Sequence, residues 1–356
     1  MTKIGEGLTF KPKDVTKKLL AVLAPRAREV VAKRYGLEEG SKRQTLESIG
    51  QKYGITRERV RQIENAALAA IKKSSEFKAF DPIFDELKQV LYAHGGIVHE
   101  DEFLGAITKD SAKGGSASGG KSTENHIHFM LVIGEAFTKL KEDEEFHHRW
   151  TVDARLADRV HNSIRNLCQN FSEKDLVSEP DLISSFLLEL KDVTKDPEVK
   201  EFAKSWISLS KRIGKNPLGE WGLAQSPNVH MRGIRDYAFL VLRKHGSPMH
   251  FTEVAKEITK MFGKQAHPAT CHNELIKDKR FVLVGRGLYA LTEWGYSRGI
   301  VSEVIKNILK KDGPLAKEEV ITRVKKERYV KDNTIMVNLQ NSKLFKKAKD
   351  GRYSLA

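Results

Sequence analysis

Thr45-Leu46-Glu47-Ser48-Ile49-Gly50-Gln51-Lys52-Tyr53-Gly54-Ile55-Thr56-Arg57-Glu58-Arg59-Val60-Arg61-Gln62-Ile63-Glu64 carries the strongest local signals of the chain. Leu46, Ile49 and Tyr53 recur at helical spacing, and Gly54 permits the left-handed exit that a tight turn requires. The hydroxyl of Thr56 is placed to cap a further helix, and Arg57 to Lys73 continues without Gly or Pro. Upstream, Pro25 suits the first turn of a helix, Val30, Val31 and Tyr35 give it an apolar face, and Gly36 stops it. Glu38 to Gln44 reads as a loop. The pattern is three helices with a tight turn between the second and third, a helix-turn-helix.

The faces of the third helix follow from its period. Taking Arg57 as zero, Val60, Ile63, Ala67 and Ile71 fall within about 240° to 320°, a buried stripe. Arg57, Glu58, Arg61, Gln62 and Asn65 fall within about 0° to 140°, toward the N-terminal end. In a helix-turn-helix that end enters the major groove, where Arg bonds guanine O6 and N7, Gln bonds adenine and Glu accepts from cytosine N4. Charged residues on a helix are more often a solvated face. Here the turn, the cap and the face coincide, which favours DNA reading.

Residues Leu23 to Lys73, above all Thr45 to Gly50 and Thr56 to Glu64, resemble the fourth conserved region of housekeeping bacterial sigma factors. The resemblance implies reading of the promoter −35 element and docking on the flap of the RNA polymerase β subunit. It implies Arg57, Glu58, Arg61 and Gln62 as base and phosphate contacts, with Thr45, Lys52 and Arg59 as candidates for the phosphate backbone. The stretch ahead of Val15 has no room for the aromatic-rich helical domain with which sigma factors melt the −10 element. An accessory factor is expected rather than a free-standing initiating one.

The net charge of +15 favours a polyanionic partner, and its distribution is uneven. Lys11 to Phe80 carries 17 basic against 8 acidic residues, and Met231 to Ala356 carries 26 against 13. Asp81 to His230 reverses the balance, 18 against 25, so the centre reads as scaffold or protein-facing surface. The two cysteines, Cys168 and Cys271, cannot build a zinc ribbon or a disulfide framework. No signal peptide or membrane-spanning stretch is recognisable, so a cytoplasmic, nucleoid-associated protein without membrane contact is expected.

Beyond the helix-turn-helix the chain repeats itself weakly. Val90 to Ile97, Val241 to Pro248 and Ile308 to Leu315 each combine a helix end, a Gly-containing turn and a new apolar pattern. Each unit closes on an aromatic, one residue and an aliphatic: Trp150-Thr151-Val152, Tyr289-Ala290-Leu291 and Tyr353-Ser354-Leu355. Leu218 to Leu223 offers a fourth, weaker closure. Three helices followed by a terminal hairpin describe a winged helix. Ile234 to Trp294, with Pro248 to Phe251, Asn273 to Ile276 and Asp278 to Tyr289, resembles a HARE-type winged helix, a family that includes the N-terminal domain of the RNA polymerase delta subunit. Lys279, Arg280 and Arg286 are candidates for secondary nucleic-acid contacts, with solvated hairpin charges the equal alternative. Val301 to Leu355 shows a fainter version, with a basic cluster of Lys325, Lys326, Arg328 and Lys331.

Gly115 to Ser122 satisfies the phosphate-cradling P-loop formula, but Thr108 to Lys113 stands where a buried strand is required. His126 with His128, His147 with His148, and His267 with Cys271 and His272 lack carboxylates or further His at a recognised metal spacing. Neither a catalytic site, a metal nor a cofactor is expected. The fold expected is mainly α, a helix-turn-helix domain followed by tandem winged-helix modules. The divisions are 15–78, 81–152 with a flexible Ser/Gly loop at 111–122, 153–230, 231–297 and 298–356. The function expected is a DNA-binding, non-enzymatic transcription factor, with double-stranded DNA and core or holoenzyme RNA polymerase as partners. A DNA-architecture protein without polymerase contact, and an ATP-dependent factor using Gly115 to Ser122, are the rivals.

Overall fold

Pro12 opens the first described helix, α1 (Pro12–Ala21), in a computed structural model that describes residues 8–111, 117–190, 197–296 and 301–356. Two compact units divide the described chain, with the boundaries after Ser172, Leu176 and Gly214. In the first unit α1 is followed by α2 (Pro25–Tyr35), α3 (Leu46–Tyr53), α4 (Arg57–Lys73) and the short α5 (Ser75–Ala79). The chain then runs through α6 (Asp81–Ala93), β1 (Ile97–His99), α7 (Glu100–Ser111), α8 (Ala117–Ile133), β2 (Thr138–Leu140) and β3 (Arg149–Thr151). Next come α9 (Ala154–Asn170), α10 (Glu179–Leu190) and α11 (Pro197–Ile207), and the chain leaves the first unit within β4 (Ile213–Lys215).

One core runs through most of this unit. Leu19 of α1, Val31 of α2 and Ile71 of α4 belong to the same buried cluster as Leu87 and Leu91 of α6, Phe129 and Met130 of α8 and Trp150 of β3. The three strands form an antiparallel sheet in the order β1-β3-β2, with Trp150 opposite Val98 on one side and Lys139 on the other. The indole of Trp206 in α11 donates to the Gly95 carbonyl at 3.0 Å, which ties α11 to the turn before β1.

The structure departs from expectation at the Ser/Gly run. Residues 112–116 lie outside the described residues, but α8 already begins at Ala117, inside the stretch expected to be a loop. Ile127, Phe129, Met130, Leu131 and Ile133 bury the C-terminal half of α8. Once that half is docked, each residue added ahead of it gains a backbone hydrogen bond without a new nucleation cost, so the weak helix propensity of Ser118, Gly119 and Gly120 is overridden. The P-loop reading falls partly on the undescribed residues; of the rest, Ala117–Ser122 are helical, and the described segment ahead of the gap is the helix α7 rather than a strand.

The second unit repeats the plan of the segment from α6 to β3. After β5 (Trp221–Leu223), which pairs with β4, come α12 (Ile234–His245), β6 (Met249–His250), α13 (Phe251–Phe262), α14 (Pro268–Lys277), β7 (Phe281–Gly285) and β8 (Leu288–Leu291). The sheet order is β6-β8-β7, and the β7–β8 turn is the wing. A further copy follows as α15 (Val301–Asp312), α16 (Lys317–Glu327), α17 (Asp332–Leu339), β9 (Phe345–Lys347) and β10 (Tyr353–Leu355). There the bridge from Leu315 to Tyr353 stands in for the first strand. The closing aromatics Trp150, Tyr289 and Tyr353 are all buried in the last strand of their sheets. The fold is therefore mainly α, a helix-turn-helix with winged-helix modules and small antiparallel sheets. Among the described residues no helix is long and apolar enough to cross a membrane.

Polar groups are also buried in the first unit, and they join its modules. Glu100, at the start of α7, accepts from the Trp150 indole at 2.8 Å and pairs with Lys139 at 2.6 Å through one oxygen. Its other oxygen lies 3.5 Å from Arg43 in the loop after α2. Burial works to raise the Glu100 carboxyl, but Lys139 and the surrounding donors overcome it and hold it below its ordinary value. Arg43 also donates to Asn125 of α8 at 2.8 Å, and Asn125 donates back to the Gly36 carbonyl at 3.0 Å.

Three histidines of this unit are kept neutral. His126 shares a 2.6 Å hydrogen bond with Thr16, and His161 accepts from Arg149 at 2.8 Å. Burial first, and neighbouring cations second, push His126 to about 4, His128 to about 3 and His161 to about 4. An unfolded histidine takes up its proton near pH 6.5, so the unfolded state binds more protons than the folded one below that pH. The stability contributed is complete above about pH 6.5 and is lost as pH falls from there toward 4. Thermal melting of the chain between pH 7.5 and 5, above the carboxylate range, is expected to show the midpoint falling steadily with acid, and His161→Gln is expected to flatten the fall. A midpoint constant over that range would refute the linkage.

Candidate nucleic-acid interface

The helix-turn-helix is built from local hydrogen bonds and a three-residue core. Thr45 caps α3 by accepting from the Ser48 amide at 3.1 Å, and Thr56 caps α4 by accepting from the Arg59 amide at 3.1 Å. Gly54, between them, has φ 62°, the left-handed value expected of the turn. Val30, Ile49 and Val60, one from each helix, meet in the centre, with Leu46, Tyr53, Ile55 and Ile63 around them. The turn folds back so closely that the Ile55 amide donates to the Gly50 carbonyl at 3.0 Å, and a Cβ on Gly50 would stand 2.6 Å from the Ile55 oxygen. Only a residue without a side chain fits there.

α4 is divided along its length as its period requires. Val60, Glu64, Ala67 and Ile71 are buried, whereas Arg57, Glu58, Arg59, Arg61, Gln62 and Asn65 are all exposed. Thr45 and Lys52 of the preceding segment are exposed as well. Arg61 pairs with Glu58 one turn earlier through two hydrogen bonds of 2.8 and 2.6 Å, and the guanidinium holds the Glu58 carboxyl below the usual carboxylate range. Arg59 donates to Gln62 at 3.1 Å. These pairs are solvent-exposed, so they orient the side chains at little free-energy cost to exchanging them for an outside partner.

Several cations of the basic N-terminal segment face inward. Lys33, almost fully buried, pairs with Glu29 and donates to the Tyr53 hydroxyl at 3.0 Å. Arg34 donates to the Gln44 carbonyl at 2.9 Å and lies 3.4 Å from Glu64. The Tyr35 hydroxyl donates to Glu64 at 2.8 Å, and burial, with that carboxylate against it, pushes the phenol up. Three successive residues of α2 thus hold α3, the loop before it and α4. Arg28 donates from its guanidinium to the carbonyls of Leu20, Ala21 and Leu23, closing the C-terminal end of α1. The burial of Glu64 has a signal in the sequence, since on the same helical wheel it falls at about 340°, beside the buried stripe.

The candidate residues of the second unit differ from one another. Arg286 is exposed at the tip of the wing and Lys279 is exposed in the turn before β7. Arg280 is engaged inside the protein: it pairs with Asp236 and with Asp278 at 2.6 Å, donates to Asn228 at 2.9 Å and lies over the Phe239 ring. Burial lowers the guanidinium's proton affinity, and the two carboxylates more than restore it. Among the described residues no group of three or more His, Cys, Asp or Glu could hold a metal ion.

Comparison with known proteins separates the same two regions. Residues 19–73 match the family model of Sigma-70, region 4, and residues 234–294 match that of the HARE-HTH domain, an HTH domain named in part for ASXL and restriction endonuclease proteins. The chain is similar to the RNA polymerase principal sigma factor HrdD of Streptomyces coelicolor, 38% identical over 74 residues, which are 21% of this chain and 22% of that protein. It is 50% identical over 54 residues to the RNA polymerase sigma factor SigA1 of Synechococcus elongatus, covering 15% of this chain and 13% of that one. Over 55 residues it is 51% identical to the sigma factor SigA of a Nostoc species, 15% of this chain and 14% of the relative. The chain thus spans no more than 22% of the length of these relatives.

Because the α3–α4 approach leaves no room for a methyl group, Gly50→Ala is expected to destabilise the helix-turn-helix by about 1–3 kcal/mol. Calorimetry paired with binding to a duplex oligonucleotide should show both a lowered melting midpoint and weaker binding. An unchanged midpoint would mean that the turn relaxes freely and does not set the position of α4.

Proposed function

We propose that the chain binds double-stranded DNA through the exposed N-terminal half of α4 and modulates RNA polymerase in transcription initiation. The observation that carries this reading is the division of α4, buried along Val60, Glu64, Ala67 and Ile71 and exposed at Arg57, Glu58, Arg61, Gln62 and Asn65 beside a capped turn. Arg57, Arg61 and Gln62 are the base readers, through guanine O6 and N7 or adenine N6 and N7, and Glu58 accepts from cytosine N4. Asn65 lies one turn further along the same face. Thr45, Lys52 and Arg59 hold the phosphate backbone, which sets register without reading sequence. Lys279 and Arg286 add secondary nucleic-acid contacts, while Arg280 positions the turn that carries Lys279.

Likeness to proteins named RNA polymerase sigma factors supports polymerase as the partner and a promoter element of the −35 type as the DNA. The matched segment is region 4, which supports the helix-turn-helix as the element that meets this DNA. The acidic stretch from Asp81 to His230 supports a protein-facing surface, because it would repel a phosphate backbone.

Replacing Arg61 or Gln62 with Ala is expected to weaken binding to the preferred duplex roughly 5- to 150-fold and to relax preference at one base pair. Equal losses on every duplex would make the residue a backbone contact. Polymerase contact is tested apart from DNA. With nuclease present, immobilised protein is expected to retain core or holoenzyme at moderate salt, because an apolar docking patch is less salt-sensitive than phosphate contacts. Complete loss of polymerase on DNA digestion would leave a DNA-architecture protein.

A further inference from the structure

Within the second unit a cleft of about 880 Å³ opens between the wing and the turn that joins α16 to α17. Its lining includes four cations, Arg286, Lys325, Arg328 and Lys331, against one carboxylate, Asp332. Asp332 is paired with Lys325 at 2.5 Å, so the cleft keeps a positive excess. Arg286 and Lys331 are exposed. Leu288 and Val330 give it an apolar floor, and Tyr329 stands at its side with 62% of its surface open to solvent.

Two observations mark the cleft as built. A Cβ on Gly285 would lie 2.9 Å from the Tyr329 carbonyl oxygen, so the wing and the turn are in close backbone contact. Arg328 is only 6% exposed, donates from Nη1 to the Leu283 carbonyl, and has no partner for Nε among the described residues. A buried guanidinium with an unanswered donor is costly, and the charge of an anion held in the adjoining cleft offsets part of that cost. Burial lowers its proton affinity from the ordinary value, with Glu303 opposing, so the cation is under-compensated by the protein itself.

We propose that this cleft binds a single-stranded nucleic-acid segment, its phosphates on Arg286, Lys325, Arg328 and Lys331 and a base stacked on Tyr329. A basic groove beside an exposed aromatic ring is the arrangement that holds single strands without sequence preference. A duplex presents its phosphates on a convex surface and touches only the rim of such a cleft. An acidic peptide would satisfy the cations but make no use of the tyrosine face. This site is independent of the duplex-reading face of α4 and stands or falls without it.

The test uses the full chain and a fluorescein-labelled twelve-nucleotide oligothymidylate, read by anisotropy. The double variant Arg286→Glu with Lys331→Glu changes only exposed side chains and is expected to lose most of the binding. Tyr329→Ala is expected to weaken it roughly fivefold or more, the loss of one stacked base. Lys331→Gln is expected to make the dependence of log affinity on log salt shallower by about 0.7, the loss of one phosphate contact on a single strand. Arg61→Ala with Gln62→Ala is expected to leave oligothymidylate binding unchanged. Binding that survives the Arg286 and Lys331 changes would overturn the proposal, as would equal loss in the Arg61 and Gln62 variant. Displacement by polyglutamate of matched charge as effective as by unlabelled oligonucleotide would assign the cleft to an acidic protein segment instead.

Discussion

The carboxylate of Glu100 is the group around which the first unit is assembled. A charge taken out of water must be met by partners, and removing one of them leaves the rest uncompensated. Its partners come from separate places: Arg43 from the loop after α2, Lys139 from β2 and Trp150 from β3. That loop leads directly into α3, so the same contact fixes the approach to the helix-turn-helix. α4 is consequently carried on a base formed by the core it shares with α6, α8 and the three-stranded sheet. A recognition element on such a base loses less conformational entropy when it binds than one on a hinge.

Positive charge in the N-terminal segment serves two different ends. Arg28, Lys33, Arg34 and Arg43 are engaged with carbonyls, carboxylates or a tyrosine hydroxyl of the fold, Lys33 buried, Arg34 half-buried, and Arg28 and Arg43 at the surface. Lys52, Arg57, Arg59 and Arg61 remain at the surface. The excess of basic residues therefore overstates the charge left without a partner in the fold. A comparable division holds in the second unit, where Arg280 is enclosed by Asp236 and Asp278 while Arg286 stands at the wing tip.

The winged-helix plan recurs with different chemistry on one scaffold. Each copy ends its first helix on a left-handed residue, Gly95, Gly246 and Gly313, and carries an aromatic in its last strand that is buried under the helices. Those requirements concern packing alone. Wings, turns and helix faces are left to vary, so one copy shares a core with the helix-turn-helix while the other two meet at a basic cleft.

Legible in the string of residues are the helix-turn-helix, the Thr56 cap, the exposed face of α4 and the repeated closing aromatics, because each depends on residues within a few positions of one another. Helical period and capping act over three or four residues, and that range is visible in a string of letters. Long-range packing is what buries Glu64 against Tyr35, brings Arg43 to Glu100, encloses Arg280 with Asp236 and starts α8 inside a Ser/Gly run. The first three pairs are separated by 29, 57 and 44 residues. Whether such a side chain meets solvent or a buried partner is set by how distant segments pack, and burial then overrides the local preference for exposed charge or for loop.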